Sequence, residues 1–241
     1  MTTAPDGGRS RRSPAFPIGL TLIALLFFTG FCALGAWQVQ RLGWKRELIA
    51  RVDARIHALP IPAPRAAARA DEYRRVRVSG HFLHDKAALV QAVTVRGAGF
   101  WVLTPLITDQ GFTLIVNRGF IPPDKRRDYA QPQGEVHVAG LLRLSELGGG
   151  FLRSNDPEAN RWYSRDVVAI GAARRIRGPL ADYFIDADAA GGPDSLPVGG
   201  LTVVKFPNSH LQYAITWFVL AAMVAGAYMF VMRQERKDRR G

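Results

Sequence analysis

Two uninterrupted apolar segments lie near the ends of the chain. One covers residues 16–39, the other residues 211–232, and neither contains a charged side chain. An α-helix needs about 20 apolar residues to cross the hydrocarbon core of a bilayer. Uncharged runs of this length are rare in soluble folds, so transmembrane helices are predicted at 16–39 and, starting one residue earlier, at 210–232, in preference to buried core helices.

A cleaved signal peptide is the alternative interpretation of the first segment. The apolar core of a signal peptide usually has about 7–15 residues, which is shorter than the run at 16–39. Pro14 and the length of the run favour an uncleaved membrane anchor.

The pattern changes twice between the two spans. Apolar residues first recur at helical spacing, which predicts a helical extension over residues 40–59. Three prolines in residues 60–64 then end the helix and form a stiff linker, because proline cannot continue a helix.

Strand-like alternation follows the linker. Strands are predicted at 74–78, 87–95, 99–107, 112–116, 135–144 and 182–185, with one short helix at 167–173. Residues 40–209 are therefore expected to form one mainly antiparallel β domain, either a sheet or a partly open barrel. The predicted fold class is a membrane α+β protein, with two transmembrane helices flanking one extramembrane β domain.

Charge assigns a topology to this architecture. The formal net charge is +12, and part of it flanks the spans, where anionic lipid headgroups explain it better than nucleic acid does. Five basic residues in the tail at 233–241 follow the second span, which indicates a cytoplasmic C-terminus. Basic residues after the first span point the other way, but long domains cross membranes largely regardless of charge.

Both termini are accordingly predicted to be cytoplasmic and the central domain periplasmic, or in the organellar equivalent of the periplasm. Residues 1–15, rich in Gly, Ser, Pro and Arg, are predicted to be a disordered tail too short for a mitochondrial transit peptide. We therefore expect a multi-pass protein of a bacterial inner membrane.

One face of the second helix carries a candidate binding surface. His210, Tyr213, Ala214, Trp217 and Phe218 share that face, at offsets of 3, 4, 7 and 8 residues. A helix N-terminus disfavours positive charge, so His210 can offer a neutral imidazole to a metal, and the aromatic side chains could form a flat wall for a porphyrin. The alternative is an aromatic belt at the membrane interface. A belt explains Tyr213 well, but Trp217 less well, because it lies about 10 Å from His210 along the helix.

The end of the first span carries a second candidate surface. Trp37, Arg41 and Trp44 share a face, and either they anchor the helix at the interface or Arg41 pairs with a ligand carboxylate such as a haem propionate. The ligand would then sit between the outer ends of the two helices. The small residues expected to let the spans approach closely are Gly30, Ala33, Ala222 and Gly226.

Other polar motifs have simpler interpretations. Residues 117–122 (NRGFIP) resemble a strand ending in a tight turn, where Arg118 could bind an anion but a structural role is favoured. His81 and His84 lack the further ligands of a recognisable metal site nearby. The common hydrolase, metalloprotease and P-loop patterns are absent from the sequence, so no enzymatic activity is predicted.

Four ordered sequence patches carry a family resemblance. They are residues 34–41 with 44–45, 76–82, 116–122 and 208–218. In this order, and between two spans, they resemble the surfeit-locus family of cytochrome c oxidase assembly factors. The chain departs from the family pattern at Ser209, where a second asparagine is expected before the histidine.

The resemblance implies a non-enzymatic role in maturing haem-copper oxidase, with haem a bound as cargo for the catalytic subunit. His210 matches the family's second-helix histidine, the expected axial ligand of the haem iron. Tyr213, Trp217 and Trp37 would line the ring and Arg41 would meet a propionate. Implied partners are the oxidase catalytic subunit, haem a synthase, other assembly factors and membrane lipids, without nucleic acid. The alternatives are a scaffold that binds no cofactor and an envelope sensor of a small ligand.

Overall fold

A computed structural model describes residues 15–150, 152–192, 195–204 and 206–238. The predicted disordered tail therefore lies outside the described residues, apart from Ala15. The chain divides into two compact units, Met1–Ile49 with Phe206–Gly241, and Ala50–Lys205.

The described residues contain three α-helices and nine strands. The helices are α1 (Ala15–Ile56), α2 (Val167–Ala173) and α3 (His210–Asp238). The strands are β1 (Ile61–Pro62), β2 (Arg75–Phe82), β3 (Ala88–Thr94), β4 (Gly97–Thr108), β5 (Thr113–Ile121), β6 (Glu135–Leu144), β7 (Gly149–Gly150), β8 (Arg153–Ser154) and β9 (Leu180–Ala187). Short 3₁₀ turns occur at Arg69–Asp71, His84–Lys86 and Pro123–Lys125.

The two long helices match the predicted membrane spans. By length and composition, both α1 and α3 are apolar and long enough to cross a bilayer. α1 continues without a break beyond its apolar run and ends at Ile56, shortly before the prolines that cannot continue it. The expectation of two such helices flanking a mainly antiparallel β domain is confirmed.

Small residues let α1 and α3 pack directly against each other. Gly35 faces the ring of Phe218, and a Cβ added at Gly35 would lie 2.8 Å from that ring. Ala214 and Ala221 are almost fully buried on α3. Close approach through small side chains is how helices associate in lipid, where no hydrophobic effect drives them together.

The sequence-based prediction of which small residues let the helices approach is wrong. Gly30 and Gly226 have no atom within 4 Å of an added Cβ, and Ala33 and Ala222 are exposed. The faces of α1 and α3 that contact each other therefore differ from the predicted ones. Which face of a helix is buried depends on the helix it pairs with and not on its own sequence alone.

The main sheet of the β domain closes into a barrel. Its strand order is β1-β2-β6-β9-β5-β4-β3, and a further pairing of β2 with β4 joins the strands β2, β6, β9, β5 and β4 into a ring. The β2–β4 pairing runs from Gly80 opposite Thr108 to Phe82 opposite Leu106. Most pairings are antiparallel, while β5–β9 and β1–β2 are parallel. The sequence predicted a sheet or a partly open barrel; the pairing of β2 with β4 makes it a barrel, and one that is closed.

Apolar side chains fill the barrel and also cover its outside. The inner cluster includes Val76, Leu106, Val116, Leu142 and Ile185. On the outside, α2 and the loop before it cover Ile115 and Phe184, with Trp162 at the centre of this second cluster. Asp166 caps α2 by accepting a hydrogen bond from the Ala169 backbone N–H.

A buried carboxylate ties the barrel wall to this covering layer. Asp186 on β9 is only 4% exposed. Its Oδ1 accepts hydrogen bonds from Asn117 Nδ2 (2.7 Å) and Arg165 Nη1 (3.1 Å). Its Oδ2 accepts from Arg143 Nη1 (3.1 Å) and Thr202 Oγ1 (2.9 Å). Both oxygens are fully used, as a buried charge requires.

Glu146 extends the cluster on its outer side. Its carboxylate accepts from Arg165 Nε at 3.0 Å and makes a second contact with Nη2 of the same guanidinium. Burial alone would raise the pKa of Glu146, but the hydrogen bonds and charge of Arg165 outweigh it and leave the pKa lowered.

Replacing Asp186 by alanine should destabilise the β domain strongly. Removing one partner of a buried ion pair leaves uncompensated charge and typically costs about 3–5 kcal/mol. For a domain of this size that corresponds to a fall in Tm on the order of 10 °C. Thermal unfolding of the full chain in detergent, followed by near-ultraviolet circular dichroism, measures it. Asp128→Ala, which breaks only the exposed pair with Lys125, is the control and should leave the Tm close to that of the wild type.

Stability should also fall in acid because of Glu146. A group whose pKa is lowered by folding stabilises the fold above its unfolded pKa, near 4.5, and this stabilisation is lost as pH falls through the folded value. The Tm is therefore expected to drop between pH 6 and pH 3, with a shallower slope in Glu146→Gln. Glu158→Gln, at an exposed site, should follow the wild-type curve. Identical slopes for wild type and Glu146→Gln would contradict this assignment.

Gly35→Val should weaken the pairing of α1 and α3. The added atoms overlap the Phe218 ring, and because this half-exposed ring can turn aside, the expected cost is about 1 kcal/mol. Titration with SDS, followed by tryptophan fluorescence, should give a lower midpoint for this variant. Gly30→Val supplies the matched control, since a Cβ added at Gly30 meets no atom within 4 Å. A midpoint equally low for both variants would show that glycine flexibility, not helix contact, is responsible.

Candidate functional site

His210 is the first residue of α3 and is held by a polar side chain of α1. The carbonyl of Ser209 accepts from the Tyr213 backbone N–H, so the first helical turn begins at this point. The His210 Nδ1 lies 2.8 Å from the Oε1 of Gln38. Gln38 itself is only 9% exposed, so this hydrogen bond connects the two helices at a largely buried position. A second side-chain hydrogen bond joins them between Thr21 Oγ1 and Tyr228 Oη, 3.0 Å apart.

The Gln38 bond determines which nitrogen of His210 is available. An amide oxygen only accepts, so Nδ1 carries the hydrogen and Nε2 of the neutral ring keeps its lone pair. Among the described residues, Nε2 has no hydrogen-bond partner. Histidines that bind metals are commonly oriented in this way, with one nitrogen donating to an oxygen and the other free to ligate.

Trp217 belongs to the contact between the helices. Its indole stacks on Phe31 of α1, with ring centroids 5.7 Å apart and planes inclined by 26°. With Phe218 packed at Gly35, much of the aromatic face of α3 that was expected to form a flat wall is used for helix pairing. His210, Trp217 and Gln38 thus all belong to the line of contact between α1 and α3. This line, called the seam below, consists of Phe31, Gly35 and Gln38 on α1 and His210, Trp217 and Phe218 on α3.

Two predicted site residues lie beside this seam and not in it. Tyr213 is 53% exposed and Trp37 is 48% exposed. Both sit on helix positions next to buried residues, Tyr213 one residue before Ala214 and Trp37 one residue before Gln38. Both rings are therefore open to the surroundings, Tyr213 within one helical turn of His210 and Trp37 next to Gln38.

Arg41 lies between two tryptophans of its own helix. Its guanidinium carbon is 5.6 Å from the ring centroid of Trp37 and 5.5 Å from that of Trp44. Over the described part of the chain, no carboxylate lies within ion-pair distance of it. Since residues three apart are neighbours on a helix, this exposed cation follows Gln38 by one turn.

Gln38 is the functional side chain that the sequence interpretation did not single out. A signal was present: a polar residue near the end of an apolar span, three residues after Gly35 on the same face. What was missing was the partner, because only the pairing of α1 with α3 shows that this amide meets His210.

The site suits one kind of metal group better than others. Among the described residues, no group of three or more His, Cys, Asp or Glu side chains could hold an ion. A haem iron needs only one or two axial ligands, since the porphyrin supplies the others. A single oriented imidazole, open aromatic surface and an unpaired arginine are compatible with that chemistry.

Comparison with known proteins identifies the family. The SURF1 family profile matches residues 25–222. Surfeit locus protein 1 of Rattus norvegicus is 39% identical over 226 residues, covering 85% of this chain and 72% of the rat protein. Surfeit locus protein 1 of Homo sapiens is 38% identical, covering 83% and 73% respectively. A SURF1-like protein of Monosiga brevicollis is 35% identical and covers 83% of each chain. The chain belongs to the SURF1 family, a family of cytochrome c oxidase assembly factors.

Proposed function

We propose that this chain assists the assembly of cytochrome c oxidase by binding haem a as cargo and passing it to the catalytic subunit. The observation that supports this proposal is the hydrogen bond from His210 Nδ1 to Gln38 Oε1. It fixes the imidazole with its other nitrogen free at the start of a membrane helix, where an axial ligand for a membrane-bound haem is needed.

The neighbouring residues supply the other interactions that a haem requires. His210 Nε2 would ligate the iron, and Gln38 would hold the ring orientation. The exposed rings of Tyr213 and Trp37 would contact the porphyrin, and Arg41 would pair with a propionate through its planar guanidinium. Trp217 would support the ligand from within the seam, stacked on Phe31.

The direct contact of the helices limits where the porphyrin fits. Gly35 meets Phe218 without a gap for a ring. The cargo would therefore not lie between the helices at the level of Gly35, although the sequence suggested a position between the outer ends of the two helices. It would lie on the open aromatic side of the seam, near His210. An open site is suited to cargo that must leave again.

The proposed membrane topology follows from the basic residues near the C-terminus of α3. Three basic residues near its C-terminus, Arg233, Arg236 and Lys237, would remain on the cytoplasmic side, or the matrix side in an organelle. The β domain would then face the periplasm or the intermembrane space. The donor would be haem a synthase and the acceptor the oxidase catalytic subunit, with other assembly factors and lipids as further partners.

A non-enzymatic role accords with this proposal, because transfer of the cargo requires the ligand bond from His210 to be exchanged but no covalent bond of the haem itself to be made or broken. The second candidate is a scaffold that holds oxidase subunits and binds no haem.

The absorption spectrum of the purified full chain tests the cargo proposal. After coexpression with the enzymes of haem a synthesis, the wild type is expected to carry a haem a Soret band, and His210→Ala to lose or shift it. Gln38→Leu should keep the ligand but weaken binding by about 10- to 100-fold, since it removes the group that orients the imidazole.

His57→Ala is the matched control for this experiment. His57 is an exposed histidine next to the end of α1, and its loss should leave the spectrum unchanged. A wild type without haem would refute the cargo proposal and favour the scaffold. Equal, unshifted bands in wild type and His210→Ala would retain haem binding and remove His210 as its ligand.

A further inference from the structure

A cleft of about 820 Å³ opens at the mouth of the β barrel. Its walls are mostly apolar and come from β2, β5, β6 and the segments after β9, including Phe82, Val116, Val136, Val138, Leu196 and Pro197. Small-molecule sites typically have roughly 300–1,000 Å³ and often lie in barrel mouths. The haem proposal makes no use of this cleft, and all of its lining residues belong to the β domain.

Strand alternation turns Arg118 into the cleft. Leu114 and Val116 of β5 point into the barrel core, and Arg118 is the next residue on that face. Asn117 points to the opposite side, toward Asp186. Gly119 then lets the backbone of Val198 approach, where a Cβ would lie 2.2 Å from the Val198 oxygen. The motif interpreted from the sequence as a structural turn thus also presents a cation at the barrel mouth.

Arg118 is held in place by a backbone carbonyl and two aromatic rings. Its Nη2 donates to the Ala130 carbonyl at 2.6 Å, and its guanidinium carbon lies 5.0 Å from the Phe82 ring centroid and 6.0 Å from that of Tyr129. Nη1 is buried and has no hydrogen-bond partner among the residues that the structure describes. Within the described residues, no carboxylate forms an ion pair with this guanidinium, and burial lowers the pKa of Arg118.

The other charged group of the cleft is already neutralised. Asp188 lines the cleft but pairs with Arg75. His137, which also lines it, is exposed and its Nδ1 is 2.7 Å from Ser79 Oγ. Among the described lining residues this leaves Arg118 as the arginine or lysine available to a ligand, which matches a ligand with a single negative charge.

A partly buried guanidinium without a counter-ion is costly, and its planar fork matches a carboxylate. We propose that the barrel mouth binds a small molecule with an apolar body and a single carboxylate, and that the carboxylate pairs with Arg118. The apolar walls would cover the body of the ligand, and the arginine would decide its orientation and select for the acid.

Binding of 4-phenylbutyrate to the full chain in lipid nanodiscs tests this site. Isothermal titration, with empty nanodiscs subtracted, should show saturable binding to the wild type. Arg118→Gln is expected to weaken it at least tenfold. The neutral amide 4-phenylbutyramide should bind the wild type at least tenfold more weakly than the acid, because it cannot accept a charge-assisted pair.

Three further variants separate this proposal from indirect effects. Arg69→Gln removes an exposed arginine outside the cleft and should leave the affinity unchanged. His210→Ala should also leave it unchanged, since the haem surface belongs to the other unit. Ala190→Trp fills the cleft from an exposed position and should weaken binding at least tenfold, which keeps the test decisive even if Arg118→Gln fails to fold.

Several outcomes would overturn the proposal. They are no saturable binding to the wild type, equal affinity for acid and amide, and full affinity in a folded Arg118→Gln or Ala190→Trp variant.

Discussion

The buried carboxylate of Asp186 joins parts of the β domain that are far apart in sequence. It binds side chains from β5, β6, the loop before α2 and the segment after β9, through four donors shared between its two oxygens. Because an unpaired buried charge is so costly, these elements must be in place together. The barrel wall, the covering layer of Trp162 and the NRG segment of β5 are therefore coupled through one group.

That coupling also explains how the barrel mouth is formed. Asn117 faces Asp186, and its Oδ1 accepts from the Gly119 backbone N–H at 3.2 Å. With Asn117 turned outward and Gly119 packed on Val198, Arg118 is left facing the opening. A single strand thus contributes a structural anchor on one face and a candidate ligand-binding cation on the other.

In the helix pair, a buried polar contact accompanies the packing of small and aromatic side chains. Close packing at Gly35 brings the backbones together, and the amide of Gln38 then reaches His210. In surroundings without water, leaving either group unpaired would be costly. The same contact that helps to align the helices also orients the imidazole, so helix pairing and the proposed ligation depend on each other.

Local pattern was enough for the elements themselves. The strand predicted at residues 135–144 and the helix at 167–173 coincide with β6 and α2, because alternation and apolar spacing are properties of neighbouring residues. Four strands were placed too short, and the two-residue strands β1, β7 and β8 were not predicted. β4 and β9 extend past the predicted bounds at both ends, while β2 continues to Phe82 and β5 to Ile121. In β2 and β5 a glycine or a polar residue interrupts the local pattern, while the hydrogen bonds of neighbouring strands continue past it.

The sequence by itself determined the two apolar helices, the β character of the domain between them and His210 as the residue to test, since all three rest on residue type and short-range spacing. Only the tertiary structure decided the β2–β4 closure, the partners of Asp186, the seam through Gly35 and the pairing of Gln38 with His210. Each of these joins residues between 16 and about 185 positions apart. No periodicity along the chain specifies such a pair, because it is selected by the packing of whole elements and by the cost of leaving buried polar groups unpaired.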